Sequence, residues 1–257
     1  MNAAPVALLL VQLAAGAVPA PAQPPRAAVG DPATYPFGVG ERFIYNAKLG
    51  FITLGQGAVE VLRREEYRGE DSFVFRFRLA AGNRFYRLDD QLESWTGVHD
   101  MISRRLRKSL NENGKRRVRD ELIYPDSGFL REVGKARTEP TVAQPLDDAA
   151  FIYWVRLLPL EVGRTYQFDR YYKARRNPIV VEVVGREVQE LPDGRKVQCL
   201  VLHPVIGSGN LMRAKNDARI WLTDDDRRIP VRIRTKQPFG TISLELREMT
   251  LHDAAAR

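Results

Sequence analysis

Alternation of hydrophobic and polar residues dominates the chain and predicts β-strands over most of its length. Phe73, Phe75 and Phe77 share one parity, whereas Arg76 and Arg78 share the other. The same period of two recurs over residues 231–236. Segments of this kind are typical of half-buried strands, and about a dozen of them are expected along the chain.

Short segments with turn chemistry connect the predicted strands. Examples are Asn111-Glu112-Asn113-Gly114, Pro192-Asp193-Gly194 and Thr223-Asp224-Asp225-Asp226. Such turns favour antiparallel pairing between neighbouring strands. The number of predicted strands indicates a mainly β fold. So many strands exceed what a flat open sheet carries comfortably, and the sheet should therefore curve. This one large curved antiparallel sheet would form a half-barrel or a barrel-like structure.

One segment, residues 146–160, departs from the strand pattern and predicts a helix near residues 147–158. Asp147 or Asp148 is suited to cap its start, and Pro159 ends it after about three turns. The segment is apolar on nearly all faces, so we expect the curved sheet to enclose it as a plug or lid.

Arg156 is the only charged residue inside this predicted helix. A guanidinium in apolar surroundings needs a carboxylate, backbone carbonyls or a ligand anion, because an unpaired buried charge is costly. Large aromatic side chains could either fill the core or leave an apolar cavity for a ligand. The candidate ligand-binding residues are Tyr45, Tyr86, Trp95, Trp154, Arg156 and Trp221.

The charge balance favours anionic partners without choosing among them. The chain has 40 Lys and Arg against 32 Asp and Glu, a net charge of +8. The densest cations lie on a predicted hairpin around Asn113: Arg104, Arg105, Arg107, Lys108, Lys115, Arg116, Arg117 and Arg119. This basic hairpin could dock onto an anionic surface. Alternatively, its charges could be a solvated edge that prevents aggregation.

The first residues have a different character from the rest of the chain. Residues 6–18 form an apolar run of signal-peptide length, and Ala20-Pro21-Ala22 is a suitable cleavage site. We therefore expect a signal peptide over residues 1–22, a flexible Pro/Ala-rich leader over 23–35 and a single mainly β domain over 36–252. The protein would be exported to the periplasm, which disfavours nucleic acid as a partner.

Catalytic, metal and cofactor motifs are not indicated. His99, His203 and His252 have none of the spacings that build a local zinc site. The sole cysteine, Cys199, excludes an internal disulfide and is predicted to be a packed core thiol. We assign no catalytic residue, no metal ligand and no cofactor, and we expect a monomer.

Three segments together resemble the bacterial envelope family of domain-of-unknown-function 3108. They are FGVGERFIYNAKLGFITLGQGAVEV from residue 37, LDDAAFIYWVRLLPLEVGRTYQF from residue 146 and IWLTDDDRRIPVRIRTKQPFGTISLEL from residue 220. The resemblance covers nearly all of the chain after the leader. It implies an exported, mainly antiparallel β protein without an established reaction.

Three functional hypotheses follow. The leading one is a non-enzymatic envelope protein that binds a lipid-like or otherwise apolar ligand between sheet and helix. The second is an interaction or scaffold protein whose basic hairpin docks onto an anionic envelope partner. The third is a cell-envelope hydrolase, which would need a convergent Asp/Glu or Ser/His set that no motif reveals.

Overall fold

The computed structural model describes residues 30–84, 87–207, 218–237 and 240–252. The predicted signal peptide and the first part of the predicted leader lie outside these ranges, as does Tyr86. The remaining part of the leader is folded. Residues Pro32–Thr34 form a 3-10 turn, and Tyr35 is buried and donates a hydrogen bond to the carbonyl oxygen of Val98 at 3.0 Å.

Fourteen strands lie within the described residues. They are β1 (Arg42–Leu49), β2 (Ile52–Tyr67), β3 (Glu70–Gly82), β4 (Arg87–Gly97), β5 (Ser103–Glu112), β6 (Lys115–Tyr124), β7 (Phe129–Glu132), β8 (Thr138–Pro140), β9 (Thr165–Phe168), β10 (Ile179–Glu190), β11 (Lys196–Ile206), β12 (Arg219–Thr223), β13 (Pro230–Gln237) and β14 (Gly240–Thr250). Two further short 3-10 turns are Val155–Leu157 and Ala174–Arg176.

The strands form one continuous sheet with the order β8-β7-β6-β5-β4-β3-β2-β1-β14-β13-β12-β11-β10-β9. All neighbouring pairs are antiparallel, and the pairing of β1 with β14 brings the two ends of the domain together. The sheet does not close, because its edge strands β8 and β9 do not pair with each other. The predicted mainly β fold with a large antiparallel sheet of half-barrel type is therefore confirmed.

Local sequence explains the sharpest turns of this sheet. Asn113 and Gly114 alone join β5 to β6, and both have positive φ angles, 51° and 82°. This backbone matches the twist of the strands, and Asn-Gly adopts it readily. In an antiparallel meander, successive turns alternate between the two ends of the sheet. The β1–β2, β3–β4, β5–β6 and β13–β14 connections consequently share one end, which we call the hairpin end.

The helix is shorter than predicted. Helix α1 spans only Phe151–Trp154 and continues into the 3-10 turn Val155–Leu157. Asp147 accepts hydrogen bonds from the backbone N–H groups of Ala149 and Ala150, which holds the preceding residues in a turn. At the other end, Leu158 is already extended before Pro159, as expected for a residue that precedes proline. Residues 151–156 are all buried, so the predicted enclosure of the helix is confirmed.

A backbone bridge spans the gap between the two edge strands. Leu146 pairs in parallel with Tyr171, with hydrogen bonds from Leu146 N to Arg170 O at 2.6 Å and from Tyr172 N to Leu146 O at 3.1 Å. Ser103 at the start of β5 donates to the carbonyl of Pro145. These bonds fix Tyr171 and Tyr172 beside the helix. We call this region the seam.

Within the described residues, no helix is long and apolar enough to cross a membrane. Cys199 is a free cysteine and fully buried, which confirms its prediction as a core thiol.

Candidate functional site

Three of the predicted ligand-binding residues that the structure describes donate hydrogen bonds to other parts of the protein. Tyr45 is buried and donates to the carbonyl of Pro230 at 2.8 Å. Trp95 donates to Glu65 and lies beneath the guanidinium of Arg105. The indole of Trp221 donates to Glu187 at 2.8 Å.

Arg156 has a protein carboxylate as its partner. It forms a two-pronged ion pair with Glu41, with N–O distances of 2.6 and 3.0 Å, and it also donates to the carbonyl oxygens of Pro36 and Arg227. Both charged side chains are essentially inaccessible to solvent. The structural alternative for Arg156 is therefore realised. Because the protein itself already neutralises the guanidinium, Arg156 needs no ligand anion to compensate its charge.

Side chains also fill the space around the helix. The ring of Tyr153 stacks on Phe75 with centroids 4.1 Å apart and meets Phe37 edge-on at 5.1 Å. On the other side, Trp154 meets Phe168 edge-on at 4.7 Å. The apolar cavity predicted immediately around Trp154 is thus occupied by aromatic side chains.

The helix covers only part of the sheet's inner face, which is the face that packs against it. On β3, Phe73 and Phe75 are buried, whereas the next inward-facing residues toward the hairpin end, Phe77, Leu79 and Ala81, are half-buried. Register places Leu92 of β4 opposite Phe77. Because side chains alternate along a strand, these residues continue the same face beyond the helix.

We call this region the concave apolar surface. Its members are half-buried, apolar and packed against the core: Phe77, Leu79, Ala81, Leu92 and Ile233. Gly57 of β2 faces the same side between Tyr45 and Leu79. A Cβ atom there would come within 3.1 Å of Leu244, so glycine lets the Leu244 side chain lie against the β2 backbone.

A chain of polar side chains borders this surface at the seam. Lys108 lies opposite Leu92 and donates to Asp148 at 2.7 Å and to the hydroxyl of Tyr172 at 3.2 Å. Tyr171 donates to the second carboxylate oxygen of Asp148 at 2.8 Å. Asp148 remains accessible, with a third of its side chain (33%) exposed.

This series of hydrogen-bonded side chains continues in both directions. Arg176 donates to the hydroxyl of Tyr171 at 2.7 Å. Tyr172 donates to Glu121 at 3.1 Å, and Lys173 donates to the other oxygen of Glu121 at 2.6 Å. We call the whole chain the polar arc: Arg176, Tyr171, Asp148, Lys108, Tyr172, Glu121 and Lys173.

Electrostatics keep the polar arc ionised at its centre. Burial disfavours the charge of Lys108, but Asp148 beside it outweighs burial and raises the pKa of Lys108. Burial likewise disfavours the charge of Asp148, but Lys108 and the Tyr171 hydroxyl outweigh it and lower the pKa of Asp148. Burial raises the pKa values of Tyr171 and Tyr172, so both phenols remain protonated hydrogen-bond donors.

Local sequence patterns did not predict the polar arc. Asp148 was predicted only as a possible helix cap, and Lys108 only as part of the basic hairpin. The available signal was the sequence Tyr171-Tyr172-Lys173, in which phenols adjoin a cation, but its partners lie on β5 and β6, far away in the chain.

The predicted basic hairpin is partly neutralised. Arg104 pairs with Asp100, Arg105 with Asp120, Lys108 with Asp148 and Arg117 with Glu112. The remaining four cations are exposed and have no ion-pair partner within the described ranges: Arg107, Lys115, Arg116 and Arg119. The hairpin therefore presents its free charge mainly along β6.

Among the described residues, no group of three or more His, Cys, Asp and Glu side chains could hold a metal ion. The concave apolar surface, with the polar arc at its margin, is a candidate site for an apolar ligand.

Comparison with known proteins bears on the fold more than on the site. The profile of the family described as "Protein of unknown function (DUF3108)" matches residues 44–247, most of the chain. The chain belongs to the DUF3108 family. No curated protein matches this DUF3108 chain.

Two solved structures are similar to this DUF3108 protein. One is a β-barrel-like protein of domain of unknown function DUF1849 from Brucella abortus, with a TM-score of 0.58 and 12% identity over 84% of this chain and 99% of that chain. The other is a hypothetical protein from Chlamydia trachomatis, with a TM-score of 0.29 and 8% identity over 85% and 90% of the two chains. At this identity the DUF1849 protein shows similarity of fold alone.

Proposed function

We propose that this DUF3108 protein is an exported, non-enzymatic binding protein that holds a lipid-like ligand on the concave apolar surface. Export rests on the apolar run of residues 6–18 and the cleavage site at Ala20-Pro21-Ala22. The binding site is shifted from its predicted position around Trp154 to the part of the sheet that the helix leaves uncovered.

One observation carries this proposal. Inward-facing side chains of β3 change from buried at Phe75 to half-buried at Phe77, Leu79 and Ala81. A barrel core would bury these residues, since fully burying one such side chain contributes about 1.5–3 kcal/mol. Apolar groups left open to solvent on a concave wall are typical of a ligand site, and the polar arc supplies polar groups at its margin.

Titration with a fluorescent fatty acid tests the proposal. The wild-type protein should bind the probe, and Leu79→Arg should weaken binding at least tenfold, because it puts a charge on the concave apolar surface. The matched control is Val118→Arg. Val118 is an exposed apolar residue of β6 on the other face of the sheet, since its neighbour Arg119 pairs with the inward-facing Lys108.

Val118→Arg should bind the probe as the wild type does. Circular dichroism confirms that both variants are folded, and Leu79→Gln replaces Leu79→Arg if the latter does not fold. Absence of probe binding to the wild type, or equal affinity of the Leu79 and Val118 variants, would contradict a ligand site on this surface.

A second candidate function is docking of the hairpin end onto an anionic lipid surface. Phe51, in the β1–β2 connection, and Ile52, the first residue of β2, are 94% and 59% exposed. Four exposed cations without an ion-pair partner among the described residues share this end: Arg87, Lys115, Arg116 and Lys236. Exposed aromatic and aliphatic tips among cations match an anionic bilayer, whose headgroups attract each cation by about 1 kcal/mol.

Co-sedimentation with vesicles tests the docking function. The protein should sediment with vesicles that contain phosphatidylglycerol and remain in solution with neutral phosphatidylcholine vesicles. Phe51→Ser together with Lys115→Glu should reduce sedimentation severalfold, whereas the control Val188→Ser should not. Val188 is 53% exposed and lies near the β10–β11 turn at the opposite end of the sheet. Unchanged sedimentation of the Phe51 and Lys115 variant would refute docking by this end.

A further inference from the structure

A cavity of about 330 Å³ lies at the seam, between the edge strand β8 and the 3-10 turn Ala174–Arg176. Its charged lining residues are Arg137, Glu139, Lys173, Arg175 and Arg176. Four cations thus face one carboxylate. The cavity shares no residue with the concave apolar surface, although Lys173 and Arg176 also belong to the polar arc at the margin of that surface.

Contacts with other protein side chains hold two of the four cations in place. Arg176 donates to the hydroxyl of Tyr171 at 2.7 Å, and its guanidinium lies over the Tyr171 ring at 4.5 Å from the centroid. Lys173 is fixed by Glu121 at 2.6 Å. These residues are the two ends of the polar arc, which therefore opens into the cavity at both ends.

The turn that carries these cations is itself braced. The side-chain oxygen of Asn177 accepts from the backbone N–H of Tyr171 at 2.7 Å, and its amide donates back to the Tyr171 carbonyl at 2.9 Å. Residues 171–177 are consequently tied into a closed loop. A braced loop lowers the entropic cost of positioning Lys173 and Arg176 for a ligand.

The other two cations are available to a ligand. Arg137 and Arg175 are exposed and have no carboxylate partner within the described parts of the chain. Glu139 lies 3.8 Å from Lys173, which already has Glu121 as a closer partner. Arg137 and Arg175 therefore give the cavity positive charge that no carboxylate among the described residues neutralises.

We propose that this seam cavity binds a phosphate group. A phosphomonoester carries a charge of about −1.5 to −2 and several acceptor oxygens, which suits two free guanidinium groups next to a fixed ammonium and a fixed guanidinium. One guanidinium can donate to two phosphate oxygens at once, and the two free arginines lie on different lining segments of the cavity, Arg137 just before β8 and Arg175 in the 3-10 turn. A single carboxylate would leave part of the positive charge unmatched.

Calorimetric titration at low ionic strength tests the phosphate site. Inorganic phosphate and glycerol phosphate should bind to the wild-type protein, and Arg137→Gln combined with Arg175→Gln should weaken binding at least tenfold. The charge-matched control combines Arg107→Gln with Arg116→Gln, two exposed arginines on the β5–β6 hairpin, and should stay within twofold of the wild type. Chloride at equal ionic strength should give no comparable heat.

The source of the phosphate is resolved with vesicles of phosphatidylglycerol and with vesicles of phosphatidylcholine and phosphatidic acid. Loss of vesicle binding in the Arg137 and Arg175 variant, with competition by glycerol phosphate, would identify a lipid headgroup. Phosphate binding without any effect of this variant on vesicle binding would identify a soluble phosphate ester. No phosphate binding by the wild type, or equal binding by the seam variant and the control, would overturn the proposal.

Discussion

At the scale of single residues, the ion pair of Arg156 with Glu41 determines how the helix is held. A buried pair that loses one partner leaves an uncompensated charge, which typically costs about 3–5 kcal/mol. We predict that Glu41→Gln lowers the free energy of unfolding by about this amount in urea denaturation. Replacing both partners, with Glu41→Leu and Arg156→Met, should cost clearly less than the sum of the single substitutions. Additive effects would show that the two side chains do not interact.

Asp147 provides a pH-dependent prediction. Its carboxyl group is buried, and burial raises its pKa to about 6, although a hydrogen bond from Ser94 opposes the shift. The folded protein thus binds this proton more tightly than the unfolded chain does. The resulting stabilisation is present at low pH and is lost as the pH rises through about 6.

The corresponding experiment compares the wild type with Asp147→Asn, whose side-chain oxygen still accepts from Ala149 and Ala150. The stability of the wild type relative to this variant should fall by about 2–3 kcal/mol between pH 4 and pH 7 in urea denaturation. The exposed Asp126→Asn variant serves as the control and should show no such trend. A constant difference between wild type and Asp147→Asn would contradict the raised pKa.

The sequence predicted that Arg156 needs a partner but did not identify which one. Its position inside an apolar helix required a partner, but Glu41 is 115 residues away in the chain. The choice between Glu41 and a ligand depended on how the first strand meets the helix. Composition and local pattern carry no information about that contact.

At the scale of elements, the strand β3 shows where the core ends. Phe75 is fully buried and stacked on Tyr153, whereas Phe77 is half-buried. We predict that Phe75→Ala lowers the free energy of unfolding by about 3–5 kcal/mol and that Phe77→Ala lowers it by about 1–2 kcal/mol. Equal costs in urea denaturation would mean that Phe77 is packed as tightly as Phe75 and that the concave apolar surface is closed.

Strands and hairpins followed closely from the sequence, but the helix did not. Alternation along residues 73–79 and the Asn113-Gly114 turn correspond directly to β3 and to the β5–β6 hairpin. The helix was predicted over about three turns because its apolar pattern continues through residue 158. Asp147 instead caps a turn at Ala149 and Ala150, and this competition between side chain and helix is decided by tertiary contacts to Ser94 and Ser103.

At the scale of the whole molecule, the first and last strands of the chain pair in the middle of the sheet, whereas β8 and β9, which are central in the chain, form its two open edges. The β1–β14 pairing includes the Lys48–Glu245 ion pair and joins segments nearly 200 residues apart. A curved antiparallel sheet was predictable from strand number, but this pairing was not. The edge strand β8 lines the seam cavity, and Phe168 of the edge strand β9 contacts Trp154 of the helix.

Photo-crosslinking with a fatty acid that carries a diazirine in its acyl chain tests the central claim most directly. After irradiation, mass spectrometry of peptides should place the label on the inner face of β3 and β4, at Phe77, Leu79 or Leu92, and unlabelled fatty acid should compete. Labelling of the outer face around Val118, or no labelling that unlabelled fatty acid displaces, would contradict a lipid-like ligand on the concave apolar surface.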